Sequence, residues 1–152
     1  MMRKARLFTI LLGLSLVIMV LGCEKNKADE EMALLDSYLL ENDITTLPTS
    51  SGIYYIETLK GSGPDASGGD RVEVKYKGTF LDGEVFDSGI HPFTLGIGQV
   101  IPGWDEGINY MREGGKAILI IPSNMAYGAY DRGGIPAYST LIFEVELLEI
   151  GE

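Results

Sequence analysis

The sequence predicts an α+β fold, an antiparallel sheet crossed by one short helix. Three observations predict it. Residues 71–81, RVEVKYKGTFL, alternate apolar with charged side chains, as a half-buried antiparallel strand does. Next comes LDGE at 81–84, whose Asp-Gly is a strong hairpin signal. Finally, Trp104, Ile108 and Met111 share helical spacing within a segment bounded by glycines and flanked by strand-like runs.

Taken in order, the chain opens on an address. MMRKAR carries Arg3, Lys4 and Arg6 and no acid, and Leu7 to Gly22 is free of charge. A basic start followed by an apolar stretch reads as an export signal. The stretch is slightly short for a membrane span, which needs about 20 residues. It ends in VLGC, Val20 to Cys23, which resembles the lipobox of bacterial lipoproteins. That resemblance implies a signal peptide over 1–22, cleavage before Cys23 and lipidation of Cys23. The plainer alternative is an uncleaved anchor helix with an incidental cysteine. Either way the body is expected in the bacterial cell envelope, tethered to a membrane and facing the periplasm or the exterior.

Residues 23–51 are expected to be a spacer holding a short amphipathic helix and a linker. EKNKADEE is charged and solvated. Met32, Leu35 and Leu39 then fall at i, i+3, i+7, with Leu34 and Tyr38 as a further i, i+4 pair. They predict a helix over 30–41, with Asp29 at its start. Such a helix has only about three turns, thin for a stable dimer. NDITTLPTSSG, 42–52, is a linker by composition.

From Gly52 the pattern is β. GIYYIETLK (52–60) is rich in strand formers, and GSGPDASGGD (61–70) is a loop, so 52–68 reads as an edge strand and loop joining a domain at 69–152. After the 71–81 strand and its turn, VFDS (85–88) and PFTLGIG (92–98) read as two further strands. The helical segment is GWDEGINYMREG, 103–114. KAILIIP (116–122) is a buried strand, 123–139 is a long loop rich in Gly and Tyr, and TLIFEVELLEI (140–150) closes the sheet.

Composition excludes several functions. Formal net charge is -10, which argues against a nucleic-acid partner, because phosphate affinity rests on Lys and Arg. One His and one Cys rule out an internal disulfide and a Cys-rich zinc site. They also leave nucleophilic catalysis dependent on His91 alone. GIGQVI lacks the third glycine of a dinucleotide fingerprint and opens no βαβ unit. Asp82, Glu84 and Asp87 straddle a hairpin turn and read as solvated rather than as a hydrolytic pair. No metal site and no cofactor is expected.

What remains is a set of apolar and aromatic residues beside glycines and prolines. Tyr76, Phe86, Phe93, Val100, Ile101, Trp104, Tyr127, Ile135 and Phe143 could simply fill a core. Yet Ile101 and Trp104 sit where the short helix starts, and Tyr127 sits in the long loop. Loops and helix ends suit the rim of a pocket.

VEVKYKGTFLDGEVFDS, PFTLGIGQVIPGWDEGINYMREGGKAILIIPSNMAYG and GGIPAYSTLIFEVELLEI resemble the FKBP-type peptidyl-prolyl cis-trans isomerases, in order and with near-family spacing, over about Gly69 to Glu152. The resemblance implies a curved antiparallel sheet wrapped around one short α-helix. It implies a proline pocket with Trp104 as floor and Tyr76, Phe86, Phe93, Val100, Ile101 and Phe143 as walls, with Ile135 at the rim. Asp87 would be a polar wall residue and Tyr127 a hydroxyl donor to a substrate carbonyl. The Ile101 N–H would be a second donor, and the Gln99 main-chain carbonyl would contact ligand. FDSGIHPF is shorter than the usual family segment and lacks an arginine often found there, and Gly134 stands where many members carry a large aliphatic. A smaller rim is expected over 128–138.

The implied activity is isomerisation of X–Pro bonds during folding of exported proteins. Implied partners are proline-containing polypeptides and macrolides of the rapamycin and tacrolimus type, with the membrane reached through lipidated Cys23. A competing reading is a tethered proline-binding module with little turnover, and a third is a lipoprotein with an inert fold.

Overall fold

The computed structural model describes residues 26–151. The apolar run at 7–22, the VLGC motif and Cys23 lie outside the described residues. No helix among the described residues is long and apolar enough to cross a membrane.

The described chain begins with helix α1 (26–41). Five strands follow: β1 (Tyr54–Leu59), β2 (Arg71–Thr79), β3 (Val85–Thr94), β4 (Lys116–Ile121) and β5 (Leu141–Gly151). Helix α2 (Pro102–Ile108) lies between β3 and β4. The strands form one antiparallel sheet in the order β1-β4-β5-β2-β3.

The inner face of the sheet holds the main core. Val72, Val74, Leu119, Ile121, Leu141, Phe143, Val145 and Leu147 point inward against Trp104, Ile108 and Met111. In β5 the inward residues run 141, 143, 145, 147 and then skip to Ile150. The cause is an irregularity opposite Glu73 and Val74, which pair with Glu149 and Leu147 and leave Leu148 as the extra residue.

Helix α2 owes its close seat on the sheet to two glycines. A Cβ at Gly103 would stand 2.5 Å from Ile121 Cγ2, and one at Gly107 would stand 2.7 Å from Leu119 Cδ1. Pro102 occupies the first turn, where its missing N–H costs nothing.

The outer face carries a second cluster. Leu35 of α1 is buried with Ile120 and Ile142, and Tyr38, Leu39, Ile44, Tyr54, Ile56 and Ile118 pack around them. Strand β4 is therefore covered by α2 on one side and α1 on the other. This explains why KAILII reads as an unbroken apolar run rather than an alternating one.

Three expected boundaries change. α1 begins by residue 26, so its charged first turn is helical rather than a loose spacer. The segments 85–88 and 92–98 are not separate strands, because β3 runs unbroken from Val85 to Thr94 and pairs with β2 along that length. Pro92 is tolerated there because β3 is an edge strand with no second neighbour to receive its missing N–H. α2 ends at Ile108 rather than continuing to 114. Beyond it, Met111 N–H turns back to Ile108 O (2.9 Å), the Met111 carbonyl accepts from Ala66 N–H (3.0 Å), and Arg112 bridges Asp65.

Candidate functional site

Between α2, β3 and the 123–140 segment lies a cavity of about 890 Å³. Its floor follows from the packing just described. α2 is held against β4 by its glycine face, so Trp104 projects across the sheet interior. Its ring meets Tyr76 edge-on at 5.0 Å and 76°, Phe143 at 5.2 Å and 84°, and Phe93 at 5.8 Å. Such edge-to-face contacts are favoured by the ring quadrupoles. The indole is 5% exposed, and its Nε1 donor is buried with no acceptor among the described residues. A buried unpaired donor costs about 1–3 kcal/mol, a cost that a Leu or Phe chosen for packing alone would avoid.

The walls come from five places. Tyr76 stands on β2 and Phe143 on β5; Phe86 and Asp87 stand on β3; Val100 and Ile101 precede α2; Tyr127 and Ile135 come from the 123–140 segment. Neighbours on a strand normally face opposite sides. Phe86 and Asp87 both reach the cavity because the register slips there: Gly78 pairs with Asp87 and Thr79 with Val85, so Phe86 is a bulged residue. Gly78 makes room for its ring, since a Cβ there would lie 2.5 Å from Phe86 Cζ. The Phe86 ring then meets Phe143 at 5.5 Å and 89°.

Asp87 is fully engaged. Its Oδ2 accepts a 2.7 Å hydrogen bond from the Tyr76 hydroxyl, and its Oδ1 accepts from Ser88 N–H at 2.8 Å. The partner of Asp87 is thus a phenol, not an arginine. The Tyr76 pKa is pushed up to about 12, first by burial, then by the hydrogen bond to Asp87 and its charge, with a smaller push from Tyr127. Tyr76 is locked in its protonated form. Asp87, with both oxygens occupied, sets the orientation of that phenol at the cavity wall.

Besides Trp104 Nε1, two donors on residues that line the cavity have no partner among the described residues. The Ile101 N–H lies ahead of α2, and its carbonyl receives the N–H groups of Trp104 (2.9 Å) and Asp105 (3.3 Å). The other is the Tyr127 hydroxyl; the Tyr127 ring lies under the Arg132 guanidinium at 5.7 Å. Gln99 is exposed. Its side chain accepts from Thr94 N–H at 2.8 Å, which pins the end of β3. Asp105 ties the intervening turn to α2 by accepting from Gly96 (2.8 Å) and Gly98 (3.0 Å) N–H.

The sequence-derived set therefore converges on this cavity with one exception. Phe93 is 4% exposed and lies behind the wall, stacked under His91 at 5.9 Å and 24°. His91 and Arg132, assigned no such role from sequence, line the cavity instead. The signal for His91 was period two. Once β3 is one strand, Asp87, Gly89, His91 and Phe93 share a face, and splitting the strand loses that register. Arg132 had no local signal. Asp82 serves the hairpin, accepting from Glu84 N–H at 2.9 Å. No His, Cys, Asp and Glu side chains among the described residues gather as a metal site.

Comparison with known proteins agrees with this geometry. The family model of FKBP-type peptidyl-prolyl cis-trans isomerases matches residues 63–148. An FK506-binding protein of Neisseria meningitidis serogroup C is 51% identical over 108 residues, covering 66% of this chain and 99% of that protein. The crystal structure of FkpA from Escherichia coli superposes with a TM-score of 0.73 at 38% identity. It covers 84% of this chain but 62% of that one, so the chain spans less than two thirds of that relative's length. A peptidyl-prolyl cis-trans isomerase structure from Pseudomonas syringae gives 0.71 at 32% identity over 84% of this chain and 96% of that one.

Proposed function

The chain belongs to the FKBP-type peptidyl-prolyl cis-trans isomerase family, and from that premise we propose how its pocket turns over substrate and where in the cell it does so. The protein is a peptidyl-prolyl cis-trans isomerase, a folding helper that acts on proline-containing polypeptides. The observation that carries the mechanism is the cavity itself. Its aromatic floor and walls end in two unpaired donors, the Tyr127 hydroxyl and the Ile101 N–H.

Rotation about a peptide bond is opposed by a barrier of about 18–20 kcal/mol, because resonance is lost at the twisted geometry. For X–Pro bonds both isomers are accessible but exchange takes tens to hundreds of seconds. No bond is made or broken, so the reaction asks for no nucleophile and no group carrier. The proline ring sits on Trp104, between Tyr76, Phe86 and Phe143. In this apolar setting the planar amide, with its larger charge separation, loses solvation more than the twisted amide does. Tyr127 and Ile101 donate to carbonyls flanking the proline and hold the chain on either side of the rotating bond. Contacts stronger in the twisted state than in the planar one lower the barrier. Asp87 acts through Tyr76, fixing the phenol against the floor.

Macrolides of the tacrolimus and rapamycin type compete for the same cavity; the name of the meningococcal relative supports this. Cys23 carries a lipid that holds the protein on a membrane of a bacterial envelope, outside the cytoplasm, where the clients are exported chains. The VLGC motif after an uncharged run supports this placement. The full-length protein should speed isomerisation of Ala–Pro and Leu–Pro peptides, and rapamycin should block it. Binding of rapamycin without acceleration of any X–Pro peptide would favour the binding-module reading. Cys23→Ser should release the protein from the membrane fraction, and an unmodified Cys23 in the mature protein, seen by mass spectrometry, would refute the anchor.

A further inference from the structure

The two buried polar residues among the described residues are Ser123 and Thr140. They stand at the two ends of the segment that supplies Ala126, Tyr127, Arg132 and Ile135 to the cavity. Both are held by one carboxylate from outside the sheet. Glu31 of α1 accepts from Ser123 N–H (2.6 Å) and Thr140 Oγ1 (2.8 Å) on Oε1, and from Ser123 Oγ (2.5 Å) on Oε2.

The arrangement has a local cause. The 3-10 turn Ser123–Met125 is preceded by Pro122, which offers no side-chain cap. Its first N–H needs an acceptor, and Glu31 supplies one from 92 positions away in the chain. Ser123 is in turn the hub of the segment. Its carbonyl receives Ala126 N–H (2.9 Å) and Gly128 N–H (2.8 Å), and Gly128 O receives Tyr138 N–H (2.8 Å). Tyr127 lies between the two residues that bond to Ser123. Further out, the bonds close within the segment, Arg132 with Ile135 and Ala137 with Asp131.

We propose that Glu31 is a positioning residue for catalysis: by gripping both roots of the 123–140 segment, α1 sets where the Tyr127 hydroxyl stands over the proline cavity. Glu31 lies upstream of the family-matched residues 63–148, so the grip comes from a part of the chain outside that match. The proposal rests on the isomerase reading, in which Tyr127 donates to substrate.

The test is a double-mutant cycle in the full-length chain, read by kcat and KM on an Ala–Pro peptide well below the melting temperature. Glu31→Ala should lower kcat/KM by about 5- to 20-fold, chiefly through kcat, the pattern of an interaction made in the transition state. In a Tyr127→Phe background the same change should cost less than about 2-fold, because the group being positioned is already gone. Glu31→Gln keeps one carbonyl acceptor and should recover most of the activity, and Glu30→Ala, exposed on the same helix, should change nothing. Amide hydrogen exchange at Ala126 and Gly128 should quicken in Glu31→Ala. Equal losses in both backgrounds, or unchanged activity and exchange in a folded Glu31→Ala protein, would overturn the proposal. If Glu31→Ala fails to fold, Thr140→Val takes its place in the cycle with the same expectations. An inactive wild type would count against the isomerase reading alone, and the exchange data would still decide whether Glu31 holds the loop.

Discussion

At the scale of single residues, the pocket separates groups that pack from groups that point. Trp104, Phe86 and Phe143 hold one another edge to face, whereas Tyr127, its ring half-buried against the core, adds a hydroxyl that packing does not need. Tyr127→Phe and Asp87→Leu should therefore leave the far-ultraviolet circular dichroism unchanged. Each removes about one hydrogen bond that matters in the transition state, worth roughly 1–3 kcal/mol, so kcat/KM should fall by about 5- to 150-fold. Trp104→Leu is a fairer probe of the floor than Trp104→Ala, since emptying a buried aromatic site costs about 3–5 kcal/mol of stability. The Tyr76–Asp87 pair makes a separate prediction. The folded pKa of Tyr76, about 12, lies above the ordinary 10.0, so the folded state holds this proton more tightly than the unfolded chain. The resulting stability is complete below pH 10 and fades as pH rises through the folded value. An ultraviolet phenolate titration should show this tyrosine ionising last. In Asp87→Leu it should ionise earlier but still above 10, because burial, the largest cause, remains.

The elements are held together at a few close approaches. The glycine face of α2 decides the depth of the pocket, since any outward shift of the helix lifts Trp104 with it. Gly103→Ala and Gly107→Ala differ in an instructive way. At Gly103 the new methyl meets Ile121 at 2.5 Å, and at Gly107 it meets the two Leu119 methyls at 2.7 Å. Ile is branched at Cβ and stiff, while Leu can turn its terminal methyls aside. Overpacking costs about 1–3 kcal/mol, and replacing a helical Gly by Ala returns up to about 1 kcal/mol. Gly103→Ala should be clearly destabilising in urea unfolding and should lower activity in parallel. Gly107→Ala should be milder in both, and the opposite ranking would mean that α2 does not hold its depth through Ile121.

For the whole molecule, the question is where the folding unit begins. β1 pairs with β4 from Tyr54 to Leu59, and Ile53 just before it is fully buried. Removing everything before Gly69 deletes that ladder together with Ile53 and Ala66. Among the described residues, starting at Ser50 deletes only α1 and most of the linker, uncovering Ile120 and Ile142 on the outer face. The Ser50 chain should fold with a lowered Tm, since losing one buried Leu, here Leu35, costs about 2–5 kcal/mol. The Gly69 chain should melt lower still or fail to fold. Equal Tm values for the two would make β1 an accessory strand.

The resemblance of its motifs to a known family supplied most of the cavity set, and the sequence by itself determined the α+β class and the hairpin at 81–84. These rest on short-range signals. Period two, an Asp-Gly turn and a Trp after Pro-Gly are all legible within a few residues. Tertiary structure decided the rest. β3 became one strand because it lies at the sheet edge, where Pro92 breaks no ladder, and this put His91 in the wall and Phe93 behind it. The bulge at Phe86 belongs to the register of two strands, in which Gly78 pairs with Asp87 and Thr79 with Val85, not to any pattern within VFDS. α1 could be read as a helix, but not its seat on β4 or its grip through Glu31, whose partners lie 92 and 109 positions away. A local pattern can say that a side chain wants burial or a partner; which distant group meets it depends on how the sheet is ordered and where its two faces are covered.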